Sequence, residues 1–318
     1  MPRAVVCVLL LLAGLAPAGA QEWPAKPVRI VVPFGSGGTS DRFGRLIAGE
    51  LSKSFGQQFY VENKPGAAGA TGSAEVARAQ PDGYTLVLAG MGPNITGPAL
   101  NPKIGYDPIG GFTHIAMIAG DSTIFVVHPA LGVKTLSEFI ALAKSGAVNC
   151  GSSGLNTIAH LSLELLKRRA GVNLVHVPYR GGGPLAIDLL GNHVSAAFLS
   201  TASAIEQVRG GNLIPLAVTA SERVASLKDV PTFAERGYPD VESTTWGWLA
   251  GPANLPPQIV MRLNAEIRRF VATPQMQEHF TRESMLTKDV DSGALTAFLA
   301  GELRRWSALV DEAGLREK

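Results

Sequence analysis

Three glycine-rich loops contain the residues whose types and spacing could bind an anion. The first, residues 33–41 (PFGSGGTSD), leads from an apolar run into a helical segment. The first N–H groups of a helix have no partner within the helix, and the helix dipole favours negative charge there. Glycines let this backbone approach an anion closely, and the hydroxyls of Ser36, Thr39 and Ser40 add donors. The pattern favours an anion site, with a simple helix cap at Ser40 or Asp41 as the alternative.

The other two loops have the same design. Residues 150–157 (CGSSGLNT) lead from an apolar run into a helical segment that contains His160. Residues 63–69 (NKPGAAG) could contact a ligand or only shape the wall of a cleft. Arg180 lies in the segment YRGGG, where it could pair with a carboxylate or stay in solvent. If the chain folds into two lobes with one of these loops in each, loops 33–41 and 150–157 would hold the two ends of a small dianion.

Motifs of catalysis are incomplete in this sequence. The six histidines include no H-x-x-x-H or H-x-H pair and no cysteine cluster exists, so a metal site has little support. Residues 151–155 (GSSGL) lack the last glycine of the G-x-S-x-G motif of hydrolases. Ser153 and His160 alone do not make up a complete set of catalytic residues. Residues 35–40 resemble the dinucleotide-binding motif G-x-G-x-x-G, but Ser40 replaces its third glycine. Glu62 lies where the ribose-binding acid of such a site could lie. We therefore predict a protein that is not an enzyme and has no cofactor, a nucleotide-dependent or hydrolytic enzyme being the weaker alternative.

The first twenty residues have the features of an export signal. Arg3 gives a positive start, residues 4–15 are an uninterrupted apolar run, and residues 18–20 (AGA) form a cleavage site. The run is shorter than the roughly 20 apolar residues that span a bilayer, and a buried N-terminal helix is the alternative. We predict a periplasmic, soluble protein, cleaved near Ala20. After cleavage Cys150 remains alone, so no intramolecular disulfide is possible. It is expected to end a buried strand, with a catalytic thiol as the alternative.

The composition is that of a globular protein with two lobes. The chain has 318 residues, of which 46% are hydrophobic and 17% charged, so a large core can form. Its 28 basic and 26 acidic residues nearly balance and form no basic run, so we expect no nucleic-acid partner. No long heptad pattern indicates an oligomer, and we expect a monomer.

Short β-type runs alternate with helical segments, which predicts βαβ units. Strands are predicted at residues 28–32, 58–62, 84–89, 124–127, 174–177, 194–199 and 213–219. Residues 43–55 carry apolar side chains at helical spacing, and Thr135 with Glu138 forms a capping box at the start of another helix.

Two extended runs, residues 123–128 and 245–250, are predicted to cross between the lobes. The predicted division is a signal peptide at residues 1–20, a discontinuous first lobe at 21–123 and 245–318, and a second lobe at 124–244. Trp246 and Trp248 lie on one face of the return crossing and are expected to pack at the hinge. A cleft between two such lobes is a typical place for a small-molecule site.

Longer segments of the chain resemble one family. They are KPVRIVVPFGSGGTSD, VENKPGAAGATG, QPDGYTL, VHVPYRGGGPLAIDLLG, LAVTASERVASLKDVPTFAERGYP and RLNAEI. Together they resemble the Bug-type (TctC-like) extracytoplasmic solute receptors of tripartite tricarboxylate transporters over almost the whole mature chain. The resemblance implies an α/β fold, the type II (Venus flytrap) periplasmic binding fold, with two α/β lobes of mostly parallel sheets joined by two crossing strands.

The family resemblance also implies a function. Such receptors capture a small carboxylate, here a di- or tricarboxylate or an aromatic acid, in the interlobe cleft and present it to a membrane permease. The alternative is a sensor whose closed form docks onto a membrane kinase. In the family, the loops matching residues 34–41 and 151–157 contact the carboxylates of the ligand, partly through water. The predicted ligand-binding residues are Phe34, Gly35, Ser36, Gly37, Gly38, Thr39, Asp41, Met91, Asn94, Ser152, Ser153, Thr157, His160, Arg180 and Ser200.

The sequence departs from the family pattern at three places. Gly35 replaces the usual proline, and Cys150 replaces the usual aromatic residue. Where members often carry an Asp-Asn pair after the strand that ends at Phe198, this chain has residues 199–201 (LST). An acid there would suit the amine of a ligand, so its absence favours an acid without an amine.

Overall fold

The computed structural model describes residues 22–36, 39–155 and 157–316. The predicted signal peptide, residues 1–20, lies outside the described residues. The strands are β1 (Val28–Val32), β2 (Phe59–Asn63), β3 (Thr85–Gly90), β4 (Phe112–Val127), β5 (Val148–Ser152), β6 (Leu174–Pro178), β7 (Ala196–Ser200), β8 (Ile214–Val218), β9 (Thr244–Pro252) and β10 (Met285–Leu286). The helices are α1 (Thr39–Phe55), α2 (Ala70–Ala77), α3 (Gly97–Leu100), α4 (Leu136–Ser145), α5 (Ile158–Ala170), α6 (Gly182–Leu190), α7 (Thr201–Arg209), α8 (Pro257–Val271), α9 (Pro274–Arg282) and α10 (Ser292–Ala313).

Most predicted elements are confirmed. β1 has the predicted bounds, and β2 and β3 are each shifted by one residue. The predicted strand at residues 124–127 is the end of β4, which is much longer. The part of β4 before residue 124 contains Gly120, Asp121 and Ser122, residue types that interrupt a strand pattern in sequence.

Two sheets share the long strand β4. In the first sheet the strand order is β2-β1-β3-β9-β4, with β10 also on β4; in the second, β4 pairs with β7 and β8, and β7 continues to β5 and β6. The pairs β1/β2, β1/β3, β5/β6 and β5/β7 are parallel, as the βαβ pattern predicts. β4 and β9 pair antiparallel with their neighbours, so each sheet is mixed around them.

The chain passes from one sheet to the other within β4. Ser122 pairs with Thr244 of β9 in the first sheet, and the next residue, Thr123, pairs with Ser200 of β7 in the second. Buried hydroxyls hold this point: Thr219 Oγ1 accepts from Thr123 N at 3.0 Å and donates to Ser243 O at 2.7 Å. Because these groups satisfy one another, polar residues can occupy a buried strand crossing.

Large aromatic side chains fill the core beside the crossing. Trp248 is fully buried, and its Nε1 donates to His114 Nδ1 at 3.0 Å. Trp246 is also buried and meets Phe298 edge to face. Both tryptophans are packing residues, as predicted.

The capping box at α4 is confirmed and provides a test of local stability. Thr135 Oγ1 accepts from Glu138 N at 3.2 Å, and Glu138 Oε2 accepts from Thr135 N at 3.2 Å. Because Thr135→Ala leaves the Glu138 N–H without its partner, we expect it to lower the free energy of unfolding by about 1 kcal/mol. Urea denaturation measures the loss, and Thr135→Ser, which keeps the hydroxyl, should recover most of it. Equal losses in both variants would contradict the capping role.

Candidate functional site

The carboxyl ends of the parallel strands face the point where the two sheets meet. In the first sheet β1, β2 and β3 lead into residues 33–36, residues 64–69 and the π-helix Gly92–Thr96. In the second sheet β5, β6 and β7 lead into residues 153–155, residues 179–181 and α7. β4 runs antiparallel to β7 and enters the second sheet at this same edge. Ligands of α/β proteins bind outside the carboxyl ends of such strands, so all the predicted loops lie where a ligand is expected.

The first loop is held by the amide of Asn63. Its Nδ2 lies 3.0 Å from Phe34 O and 3.0 Å from Asp41 Oδ1. Asp41 is buried, and its Oδ2 accepts from Arg45 Nε at 3.0 Å. Asp41 therefore braces the loop at the start of α1, and its contact with a ligand stays a prediction. An anionic ligand would also be repelled by this carboxylate if it lay in direct contact.

The structure describes only some of the remaining residues of the first loop. Phe34 is half-buried, and Gly35 and Ser36 are exposed. Gly37 and Gly38 lie outside the described residues. Thr39 is the first residue of α1, but its side chain is not among the described parts.

The loop after β2 packs against the first loop through strained backbone. Residues 66–69 all have positive φ, with values of 140°, 45°, 53° and 97°. Two of them, Ala67 and Ala68, are exposed alanines, for which this conformation is unfavourable. A Cβ on Gly69 would lie 3.3 Å from the ring of Phe34 and 3.1 Å from Pro93, so the three first-sheet segments are in close contact.

Met91 and Asn94 follow β3 and are both fully buried. The side chain of Met91 is part of the hydrophobic core, so it supports the site from below. Asn94 lies on the π-helix, a distortion frequent at functional sites. Its Oδ1 is 3.5 Å from Gly90 N, and its buried Nδ2 has no partner among the described residues.

The second-sheet loop is closed by a ring of hydrogen bonds around Gly154. Ser152 Oγ donates to Gly154 O at 3.1 Å, and Thr157 Oγ1 donates to the same oxygen at 2.8 Å. Thr157 Oγ1 also accepts from His160 N at 3.3 Å, which caps α5. Three predicted ligand residues are thus brought together, with Ser152 and His160 buried and Thr157 half-buried. Asn156 lies outside the described residues.

His176 completes this ring and was missed by sequence analysis. Its Nε2 lies 2.7 Å from Ser152 Oγ, and its ring stacks on His160 with centroids 4.2 Å apart. Because Ser152 Oγ already donates to Gly154 O, the consistent tautomer of His176 carries its proton on Nε2 and donates to Ser152. Burial lowers the pKa of His176 to about 4, aided by the charge of His160, and burial also lowers the pKa of His160. Both rings are neutral near pH 7.

Arg180 lies on the β6 side of the same loop. Gly181 N donates to Ser153 O at 3.0 Å, which ties residues 179–181 to the second loop. Arg180 is exposed, whereas Ser153 is half-buried. Among the described residues Arg180 has no ion-pair partner, so its guanidinium is available to a carboxylate.

Ser200 contacts an acid that the sequence did not reveal. Its Oγ donates to Asp121 Oδ2 across the β4/β7 pair, from a residue 79 positions away. Burial raises the pKa of Asp121 to about 6. Ser200 also precedes α7 without a side-chain cap on that helix. The nearness of these two residues depends on strand pairing, which no local sequence signal shows.

A cavity of about 470 Å³ lies beyond the start of α1, next to α9 and β10. It is lined by Arg42, Phe43, Leu46, His279, Glu283 and Met285. None of the predicted ligand residues lines it. Its Met285 pairs with Asp121 across β10 and β4.

Cys150 is buried beside the second loop, and its thiol is expected to be inert. It is fully buried on β5, opposite His176 and Ala196, and burial raises its pKa. Since the thiolate is the reactive form, we expect no reaction of the native protein with Ellman's reagent at pH 8 over several hours. Full reaction is expected in 6 M guanidinium chloride on the order of minutes. Rapid labelling of the native protein would show that the thiol is accessible.

Metal and membrane features are not found in the part of the chain that is described. No three His, Cys, Asp or Glu side chains there are grouped so that they could hold a metal ion. No helix among the same residues is both long enough and apolar enough to cross a membrane.

Comparisons with known proteins agree with this architecture. Residues 43–315 match the family model described as Tripartite tricarboxylate transporter family receptor. Protein BugT of Bordetella pertussis is 33% identical over 319 residues, covering 99% of this chain and 98% of BugT. The two-lobe α/β fold is that of periplasmic binding proteins, as in solved relatives of this family.

Two solved structures with bound acids are also similar. A protein of R. palustris solved with adipate is 31% identical with a TM-score of 0.81, covering 92% of this chain and 99% of that one. MatC from Rhodopseudomonas palustris, solved with bound malate, is 31% identical with a TM-score of 0.77, covering 91% and 100%. The chain is therefore a Bug-type solute-binding receptor of the tripartite tricarboxylate transporter receptor family.

Proposed function

We propose that this protein captures a small carboxylate, first of all a dicarboxylate, between two lobes and presents it to a tripartite tricarboxylate transporter permease. The observation that carries the proposal is that the described parts of two anion-type loops, residues 33–36 and 150–155, lie at the facing carboxyl ends of the two sheets. Relatives solved with adipate and malate support the ligand class. Each loop would take one carboxylate through backbone N–H groups and hydroxyls.

The proposed lobes are residues 21–123 with 245–318, and residues 124–244. The passage of β4 between the sheets at Ser122 and Thr123 supports the first boundary, and the start of β9 at Thr244 supports the second. A ligand that contacts both lobes stabilises the closed arrangement more than the open one, so binding shifts the population towards closure. The buried hydroxyls around Thr219 lie where the lobes would rotate.

The charge of the second-lobe site fits a carboxylate without a metal ion. Arg180 is the cation beside the loop, and the His176 ring is neutral. Because the hydroxyls of Ser152 and Thr157 donate to Gly154 O, the uncharged donors to the ligand would be backbone N–H groups and the hydroxyl of Ser153. Donors that are already fixed by the fold lose little entropy when an anion replaces water. We propose that the ligand binds and leaves without chemical change.

We further propose that the protein acts as a monomer in the periplasm, after removal of the N-terminal segment near Ala20. The apolar run at residues 4–15 and the family of its relatives support this location. Cell fractionation with mass spectrometry of the N-terminus tests it. A mature protein that begins near Gln21 is the expected result.

Thermal unfolding with a panel of acids tests the proposed function. The panel contains succinate, malate, adipate, citrate and benzoate, and the neutral diamides of succinate and adipate serve as matched controls. A ligand at 100 times its Kd stabilises the folded state by about 2.7 kcal/mol, which raises Tm by several degrees. We expect such a shift for at least one acid and none for the diamides, with Kd from titration calorimetry. Equal shifts for an acid and its diamide, or no shift with any acid, would contradict carboxylate binding.

A further inference from the structure

β4 brings an acid to the edge where the two sheets meet. Asp121 lies opposite Thr245 of β9 and Met285 of β10 in the first sheet, two residues before β4 joins β7. Its carboxylate reaches Ser200, at the carboxyl end of β7, where the family resemblance places a ligand residue. The sequence has no acid after Phe198, which favoured a ligand without an amine. Because β4 supplies a carboxylate to the same place, that reason no longer holds.

The carboxyl group of Asp121 has an unused acceptor. Oδ2 accepts from Ser200 Oγ, whereas Oδ1 is buried and receives no hydrogen bond from any described residue. The backbone N–H of Ala202 is near enough to lower the pKa of the carboxyl group but forms no hydrogen bond of normal geometry with it. Residue 121 as a whole is part-buried, whereas its Oδ1 atom is buried. A buried carboxylate oxygen without a donor is unfavourable, and the fold normally avoids it.

A second buried polar group without a partner lies at the same edge. Asn94, after β3, has a buried Nδ2 that donates to no described residue. Between its strand and β4 lies β9, whose Gly247 pairs with Gly90 of β3. A Cβ on Gly90 or Gly247 would make only ordinary contacts, at 3.7 Å and 3.8 Å respectively. The sheet surface between Asn94 and Asp121 is therefore free of side chains at these two positions.

We infer that Asp121 is a specificity-determining residue that selects carboxylates carrying a hydroxyl or ammonium group on their carbon chain. This inference rests on the proposed function. The donor group of the ligand would satisfy the free acceptor of Asp121, and Asn94 would donate to an oxygen of the ligand. A plain dicarboxylate would bring further negative charge close to Asp121 without a donor, which weakens its binding.

Titration calorimetry with matched acids tests the inference. The sets are succinate, L-malate and L-aspartate; adipate and L-2-aminoadipate; and benzoate and 4-hydroxybenzoate. In at least one set the donor-bearing acid should bind about tenfold or more tightly than the plain acid. Asp121→Ala should reduce this ratio to within about threefold, since both the acceptor and the charge are lost. Asp121→Asn keeps an oxygen acceptor, so it should abolish a preference for an ammonium group but only weaken one for a hydroxyl.

A nearby acid provides the control. Glu206 on α7 is exposed and forms an ion pair with Arg209. Glu206→Gln therefore removes one charge from the same region without changing Asp121, Asn94 or Ser200. Glu206→Gln should leave the affinity ratio of donor-bearing to plain acid unchanged in every set. Plain acids that bind as tightly as their donor-bearing counterparts in the unmodified protein, or ratios that persist in Asp121→Ala, would overturn the inference while leaving carboxylate binding intact. If no acid binds the unmodified protein, the proposed function itself fails, and the inference fails with it.

Discussion

Asp121→Asn is expected to raise the free energy of unfolding at pH 7.5 by about 1 to 3 kcal/mol. Burial raises the pKa of this carboxyl to about 6 from its ordinary value of 3.8, against the effects of the Ser200 hydroxyl and the Ala202 N–H. A shift of one pKa unit corresponds to about 1.4 kcal/mol, and the partial exposure of the side chain reduces the gain below the full value. The neutral asparagine amide avoids the burial of charge altogether.

The sign of this effect sets its pH dependence. A folded-state pKa above that of the unfolded chain means that the folded protein binds the proton more tightly. The favourable contribution is therefore complete below about pH 4 and is lost as the pH rises through about 6. Asp121→Asn should gain most over the unmodified protein above pH 6 and little at pH 4.

Guanidinium chloride denaturation at pH 4, 5, 6 and 7.5 measures the free energy of unfolding of the unmodified protein and of Asp121→Asn. Glu206→Gln serves again as the control, since an exposed charge on α7 should change the free energy of unfolding by less than about 0.5 kcal/mol at every pH. A lower stability of Asp121→Asn at pH 7.5 would mean that the carboxylate is structurally required. A gain in stability together with a loss of ligand discrimination is the pattern of a residue retained for function.

The local rules of the sequence predict much of this fold, because they depend on neighbouring residues. The apolar run at residues 28–32 is β1, and the periodic residues 43–55 lie in α1. Thr135 and Glu138 form their capping box within one helical turn. The glycine-rich loops could be located because a strand before each and a helix after each leave a characteristic pattern.

The parts that could not be predicted depend on residues far apart in the chain. Asp121 meets Ser200 because β4 pairs with β7, and His176 meets Ser152 because β5 pairs with β6. Neither residue stands in a motif, and an acid in the middle of a strand gives no hint of its partner. Asp41 and Met91 lie in the predicted segments and are buried, which the sequence did not indicate, and their contact with a ligand stays a prediction. The contacts of these four side chains depend on burial and strand register, which the position of a segment in the sequence does not show.

His176→Phe is expected to weaken carboxylate binding by about 10- to 100-fold. The phenylalanine ring can keep the stack on His160 but cannot donate to Ser152, which then holds Gly154 less firmly. Residues that orient metal ligands change metal affinity by about 10- to 100-fold without touching the metal, and we expect a loss of similar size where His176 orients a carboxylate-binding loop. Titration calorimetry with the acid that binds best in the panel measures the loss. Because the ring volume is kept, Tm in the absence of ligand should fall by only a few degrees.

Two further variants separate this role from a general loss of stability. His176→Gln retains an N–H donor of similar reach and should recover part of the affinity. Ser152→Ala removes the other end of the same hydrogen bond, so the double variant with His176→Phe should bind about as weakly as either single one. Additive losses in the double variant would show that the two side chains act independently. An affinity that follows Tm across all the variants, rather than the presence of the donor, would show that His176 serves only the core.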